Sequence, residues 1–430
     1  MRALYTLAVY LVLPLLPLRL WWRARREPGY GEHIGERFGR YKHADRTPRD
    51  PVVWVHAVSL GETRAAIPLV ERLRRAYPET TVLVTHMTAT GRAAGRALAG
   101  ERVAQAWLPY DVPFAIRGFL AHWKPRALLI METELWPNVI ALARGNGVAV
   151  FLVNARMSKR SASGYSRIAA LSRPMMASLS GVAAQSEADA ARIAALGAPA
   201  PVVTGNVKFD IDVADAALAL GRELRIRFGD TRPVWLAAST REGEEALILD
   251  AIAAHRLPPA TLTVVVPRHP QRFPAVASLL RERGIPFVRR SDNAIVPADI
   301  DVVLGDSMGE MTGYCAAADV VFVGGSLLPL GGQNLIEPIA LGRPTLVGPH
   351  MFNFAEATAK ALGAGAALEV VNADSLVETV GALLGDAARR AAMARAALEF
   401  HAAHRGAVDK LWRWLAPKLD AILVSRRGRG

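Results

Sequence analysis

The apolar positions of this chain change their pattern along its length. From Ala3 to Leu18 no charged residue occurs, and apolar character resumes after Arg19 at Leu20, Trp21 and Trp22. From residue 51 onward, short apolar runs alternate with segments of helical periodicity. Val52 to Val55, Val82 to Thr85, Ala127 to Met131 and Val148 to Val153 read as buried strands. Ile67 to Ala76 and Ala93 to Leu98 read as helices between them. A second series follows at Val234 to Ala238, Leu262 to Val266, Val302 to Leu304, Val320 to Val323 and Thr345 to Val347. This alternation predicts an α/β protein with parallel sheets covered by helices on both faces.

Residues 201–212, with Gly205 and few helix formers, separate the two series and are the expected hinge. The predicted organisation is a membrane anchor over 1–22, a first Rossmann-like domain over 23–205, and a second Rossmann-like domain over 206–406. A C-terminal helix and tail over 407–430 follow, with Leu411, Trp412, Trp414 and Leu415 positioned to pack back on the first domain. A chain of 430 residues exceeds one ordinary core, consistent with two domains. Two such domains facing each other present a cleft at the carboxyl ends of their strands, where ligands are expected.

The N-terminal apolar stretch is at the lower limit of what crosses a bilayer, and Pro14 and Pro17 would kink it. Trp21 and Trp22 suit an interface. Arg23, Arg25 and Arg26 follow, which puts the body on the cytoplasmic side by the positive-inside rule. A helix lying in one leaflet is the competing arrangement. A cleaved signal peptide fits less well, since no small-x-small site precedes the arginines.

Net charge is +13, so an anionic partner is expected. No zinc-finger spacing and no RNA-binding aromatic segment occurs, which ranks a membrane surface above nucleic acid. A merely arginine-rich composition accounts for the same charge. The single cysteine, Cys315, excludes an intramolecular disulfide and a cysteine-based metal site.

Ser-x-x-Glu follows strand ends at Ser59–Glu62, Ser239–Glu242 and Ser307–Glu310. As capping boxes these have a complete structural role. They also mark helix N-termini, where anions bind, and Glu62 is placed to accept a proton from a sugar hydroxyl. Arg268 and His269, after the strand ending at Val266, suit a phosphate, although a basic surface turn has the same composition. Gly324-Gly325-Ser326 and Gly331-Gly332-Gln333-Asn334 lead into a helix expected near Asn334, with Glu337 in its first turn for ribose hydroxyls, although an ordinary glycine loop before a capped helix has the same pattern. No G-x-G-x-x-G follows the first strand and no G-x-x-x-x-G-K-[ST] is present, which argues against dinucleotide-binding and P-loop proteins. Asp210-Ile211-Asp212 and Asp299-Ile300-Asp301 have the D-x-D form of some metal sites, a tripeptide common by chance. No metal and no cofactor is expected.

Together, His56-Ala57-Val58-Ser59-Leu60-Gly61-Glu62, Met131-Glu132-Thr133-Glu134-Leu135-Trp136-Pro137, Gly205-Asn206-Val207-Lys208-Phe209-Asp210, Val266-Pro267-Arg268-His269 and Gly331 to Pro338 resemble the 3-deoxy-D-manno-octulosonic acid (Kdo) transferases of lipopolysaccharide synthesis. Gly31 to Gly39 is similar to that family as well, and the resemblance extends over nearly the whole chain. It implies a GT-B fold and an inverting, metal-independent transfer from CMP-Kdo to the 6′-hydroxyl of a lipid A precursor, lipid IVA. Glu62 then matches the general base, and Glu132 and Lys208 match residues supporting the transition state. CMP contacts would fall at Arg268 and His269, at Gly309, Glu310 and Met311, and at Asn334, Leu335, Ile336 and Glu337. Arg64, Arg92, Arg156, Lys159 and Arg160 are candidates for acceptor phosphates, and a merely soluble basic face accounts for them equally. Plain alternatives are a strand-end carboxylate for Glu132 and a solvated hinge lysine for Lys208.

The competing functions are a GT-B enzyme using another nucleotide sugar, such as a UDP-sugar, a non-enzymatic protein binding anionic lipid, and a nucleic-acid binder.

Overall fold

The computed structural model describes residues 1–41, 50–98, 100, 102–210 and 213–423. It divides into two compact units. One comprises residues 1–210 with the chain from Gly406 onward, and the other comprises residues 211–405. Asp212 of the first D-x-D tripeptide lies outside the described residues.

In the first unit the strands are β1 (Val52–His56), β2 (Thr81–His86), β3 (Val103–Trp107), β4 (Pro125–Met131), β5 (Ala149–Ala155), β6 (Gly181–Ala184) and β7 (Val202–Val203). They form one parallel sheet in the order β3-β2-β1-β4-β5-β6-β7. Alternate residues of β1 serve opposite faces, as the two-residue period of a strand requires. Trp54 packs with Phe119, ring centroids 4.4 Å apart, in the cluster on one face. Val53 and Val55 join the other cluster, which also takes Leu411, Leu415 and Leu419 from the C-terminal helix Ala407–Leu423. Those leucines recur every fourth residue, so one helix face is apolar. The backbone N–H groups of Gly406 and Val408 both donate to the Asp210 carboxylate, which caps the start of this helix.

The second unit contains β8 (Val234–Thr240), β9 (Leu262–Pro267), β10 (Phe287–Arg289), β11 (Val302–Leu304), β12 (Val320–Val323), β13 (Thr345–Val347) and β14 (Ala367–Glu369). They form a second parallel sheet ordered β10-β11-β9-β8-β12-β13-β14. Trp235 and Phe322 are fully buried on one of its faces.

All nine predicted strands are present in this architecture. The sequence pattern missed β3, β6, β7, β10 and β14, which lie toward the sheet margins. Most of them are short, and none shows a long apolar run. Each sheet reverses its strand order at one point, between β1 and β4 in the first and between β8 and β12 in the second. The loops leaving those strands are where a doubly wound sheet binds its ligand.

Candidate functional site

Glu62 enters the first unit's switch point on the first turn of the helix Leu60–Ala76. Ser59 caps that helix by accepting from the Glu62 N–H, and the Glu62 carboxylate reaches back to accept from the Val58 N–H at 2.9 Å and the Ser59 hydroxyl at 3.0 Å. This is the expected capping box, shifted by one residue on its return bond. The residue is only 9% exposed. Burial raises its carboxyl to about 7, and the negative charges of Glu132 and Glu134 push the same way, against the lowering effect of those hydrogen bonds. A carboxyl poised near neutrality suits proton transfer.

Glu132 follows β4 directly. Its φ of +56° is left-handed, a conformation that costs a non-glycine residue about 1–3 kcal/mol and that accumulates at functional sites. Its N–H donates to Val153 O, and its carboxylate lies 2.6 Å from Lys208 Nζ. Lys208 rides on a short 3-10 turn, Val207–Phe209. That turn hangs on the fully buried Asn154 of β5, whose side-chain oxygen accepts from the Val207 N–H at 3.1 Å. Glu134, two residues beyond Glu132, has its carboxyl raised by burial and by the Glu132 charge. The structure thus gathers Glu62, Glu132 and Lys208, which sequence reasoning singled out, and adds Glu134.

Arg92 does not belong with the exposed basic residues. It is buried and pairs with Glu36 at 2.8 Å, and its guanidinium and that of Arg37 lie 4.9 and 3.8 Å from the Trp107 ring. Its pairing ties the Gly31 to Gly39 segment to the helix Ala89–Gly95, and the same Glu36 carboxylate accepts from the Trp107 N–H of β3 at 2.8 Å, so the buried charges are paired. Arg64, Lys159 and Arg160 are exposed, and Arg156 is half-buried.

In the second unit, Arg268 and His269 follow β9. Burial and the charges of Arg241, Arg268 and Arg272 hold the His269 imidazole below its ordinary range. Those arginines concentrate positive charge where β8 and β9 end. Arg272 is also fixed by the buried Glu245, 2.9 Å away. Arg241 and Arg272 were missed, since Arg241 sits inside a predicted capping box whose serine and glutamate drew attention instead.

That box does not form. Ser239 is left-handed at φ +57°, and the helix Glu244–Ala254 begins two residues beyond Glu242. The carboxylate that matters is Glu244. It is fully buried and accepts from the N–H groups of Arg241 (2.8 Å), Gly325 (2.6 Å), Ser326 (2.9 Å) and Leu327 (3.0 Å). The N–H groups after β12 are therefore held by the protein itself. Gly324 and Gly332 are required for packing in this loop. A Cβ on Gly324 would lie 2.7 Å from Ser239 O, and one on Gly332 2.1 Å from the Met351 sulfur.

Gly309 precedes the helix Met311–Ala317 with φ +81° and open space where a Cβ would project, while Glu310 occupies the N-cap position. The Ser307–Glu310 pair is accordingly no standard capping box. Ser307 donates to Glu310 at 2.6 Å, and the same carboxylate pairs with Arg290 at 3.0 Å. The helix expected near Asn334 begins at Ile336, whose N–H donates to Asn334 Oδ1 at 3.1 Å. Leu335 and Ile336 are buried. Thr312 donates to Glu337 at 3.2 Å and brings the Gly309 to Met311 and Asn334 to Glu337 segments side by side. Asp301 pairs with Arg232 at 3.1 Å, a surface contact that accounts for that D-x-D carboxylate.

Residues 32–211 match the family model of the 3-deoxy-D-manno-octulosonic-acid transferases. A 3-deoxy-D-manno-octulosonic acid transferase of Bordetella pertussis is 47% identical over 96% of this chain and 99% of its own length. One from Haemophilus influenzae is 37% identical over 97% and 99%. In fold, the chain is similar to the solved structure of Anabaena HepE in complex with UDP, with TM-score 0.57 and 13% identity over 86% of this chain and 100% of that one.

Proposed function

The chain belongs to the family of 3-deoxy-D-manno-octulosonic acid transferases, glycosyltransferases of lipopolysaccharide synthesis, and from that premise we propose that it moves Kdo from CMP-Kdo to the 6′-hydroxyl of the lipid A precursor lipid IVA, with inversion and without a metal. The first unit takes the lipid acceptor and the second takes the CMP-sugar. The N-terminal helix holds the enzyme at the cytoplasmic face of the inner membrane.

The observation that carries this reading is the Glu62 carboxyl, buried at the switch point and held near neutrality beside the Glu132–Lys208 pair. As base, Glu62 takes the proton of the acceptor hydroxyl while that oxygen forms its bond to the anomeric carbon of Kdo. The bond from that carbon to the CMP phosphate oxygen breaks on the opposite side, and CMP leaves with the electron pair. Lys208 offsets the negative charge on Glu132 and favours ionised Glu62. CMP is a good leaving group, so the step needs alignment and charge stabilisation more than an acid. Arg241, Arg268 and His269 suit the phosphate, Glu337 suits the ribose hydroxyls, and the backbone over Gly309 to Met311 and Asn334 to Ile336 suits the base.

Incubating the full chain with CMP-Kdo and lipid IVA and weighing the lipid by mass spectrometry tests the proposal. A mass gain of one or more Kdo residues is expected. An unchanged lipid, or a gain only with a UDP-sugar, would reject it.

A further inference from the structure

Arg2–Arg25 form one apolar helical rod of 24 residues. At about 1.5 Å per residue it is long enough to cross the ~30 Å hydrocarbon layer, so length does not decide how it meets a membrane. Its packing does. Tyr5, Val9, Leu13, Leu16 and Leu20 are half-buried or buried, at steps of three and four residues that follow one helix face from end to end. Near the start of the rod, Tyr5 donates to Asp111 at 2.8 Å and Thr6 to Asn138 at 3.0 Å. Asp111 is buried and also accepts from the N–H groups of Asn138 and Val139. Farther along, the Tyr10 ring meets Phe114 at 6.4 Å. Near the end, Leu20 is 5% exposed and the Arg23 guanidinium lies 5.1 Å from the Tyr30 ring.

The first unit therefore touches the rod along its whole length. Tyr5 and Leu20 are about 22 Å apart along the axis. Were the rod perpendicular to the bilayer, the protein around Asp111, with the exposed Arg117 on the adjoining helix Pro113–Trp123, would sit deep in hydrocarbon. Each arginine there costs at least about 2.5–3.5 kcal/mol, and irregular backbone facing lipid costs more. A rod lying flat avoids both. Its opposite face carries Leu4, Leu7, Leu11, Leu15, Leu18 and Trp22, each 52–72% exposed, in one continuous stripe.

Resting on the membrane location proposed above, we propose that the N-terminal helix lies in the plane of the bilayer, clamped lengthwise to the first unit and sinking its Leu4–Trp22 stripe into one leaflet, with an anionic lipid surface as its partner. Exposed Arg2, Arg19 and Arg25 meet the headgroups at the margins of the stripe. Thr6 meets Asn138 on the helix Pro137–Gly145, four residues beyond Glu134, so the start of the rod lies close to the carboxylate cluster and to the leaflet from which a lipid acceptor would come.

Single cysteines at opposite ends of the rod test this. Ala3→Cys and Arg25→Cys, each in a Cys315→Ala background, are expressed as full chains. Sealed inner-membrane vesicles of inverted and right-side-out orientation are then treated with a membrane-impermeant maleimide. Both cysteines should label in inverted vesicles and neither in right-side-out ones. Labelling of the two positions from opposite sides would overturn the flat arrangement and leave membrane attachment standing. Recovery of the wild-type chain in the soluble fraction, rather than floating with the vesicles, would overturn both.

Discussion

The Lys208 ammonium lies 2.6 Å from the Glu132 carboxylate, although one residue rides on a short turn after β7 and the other directly follows β4. The pair places a cation close to the carboxylates that surround Glu62. Removing it exposes Glu62 to the full charge of Glu132. Lys208→Ala should lower kcat by about 10–100-fold and move the ascending, acidic limb of the pH–rate profile to higher pH, while Lys208→Arg retains most of both. A profile for Lys208→Ala that coincides with the wild type would reject the charge coupling.

Glu62→Gln should reduce turnover by about 10²–10⁴-fold while leaving CMP binding intact. Wild-type kcat should rise with pH through about 7, as the carboxyl ionises. The same shift acts on stability with a definite sign. Folding raises this carboxyl above its ordinary 4.5, so the native state holds a proton that the unfolded chain has released. The contribution is full below about 4.5 and is lost as pH rises through about 7. Denaturant unfolding should therefore find Glu62→Gln more stable than wild type by about 1–3 kcal/mol at pH 8, with little difference at pH 5. Equal stability at both pH values would count against a buried, raised carboxyl.

Glu244 organises the loop after β12 by accepting four backbone N–H groups. Glu244→Ala leaves those donors buried without an acceptor and should cost about 3 kcal/mol or more. Glu244→Gln, which keeps one acceptor oxygen, should cost less. Thermal unfolding and CMP affinity measured together should both weaken, because the loop borders Arg241: a Cβ on Gly325 would lie 3.3 Å from Arg241 Cγ. A variant with unchanged unfolding would show the loop to be held by other means.

CMP, and not UDP, should protect the protein from thermal unfolding, by about 2.7 kcal/mol at a hundredfold excess over its Kd. Arg268→Ala and Arg241→Ala should each remove most of that protection without changing the unliganded midpoint by more than a few degrees. Protection by UDP equal to that by CMP would favour a different nucleotide-sugar donor.

Asp210 caps the C-terminal helix through two backbone N–H groups. Asp210→Ala should destabilise the first unit by about 1–2 kcal/mol, measured by denaturant unfolding. A metal-dependent change in the wild-type midpoint would instead return Asp210 to the metal-binding reading.

Much of the fold and part of the site was legible along the chain. Runs such as Val52 to Val55 and Val320 to Val323 identify central parallel strands, because a strand buried on both faces admits little but apolar residues. Glu62 was visible in its capping box, since hydrogen bonding between residues three apart is a local matter. The motif order also indicated the family. Other features depend on contacts between distant segments, to which local pattern is blind. Ser239–Glu242 has the same spacing as Ser59–Glu62, yet the later helix starts at Glu244, where a buried carboxylate can meet N–H groups some eighty residues away. The Glu132–Lys208 pair, the burial of Arg92 against Glu36 and the Tyr5–Asp111 clamp are likewise products of tertiary packing. Composition determined that the N-terminal segment is apolar enough to enter a membrane. Only the folded unit decided which face of that helix is left for lipid, because a helix presents every face until something packs against one of them.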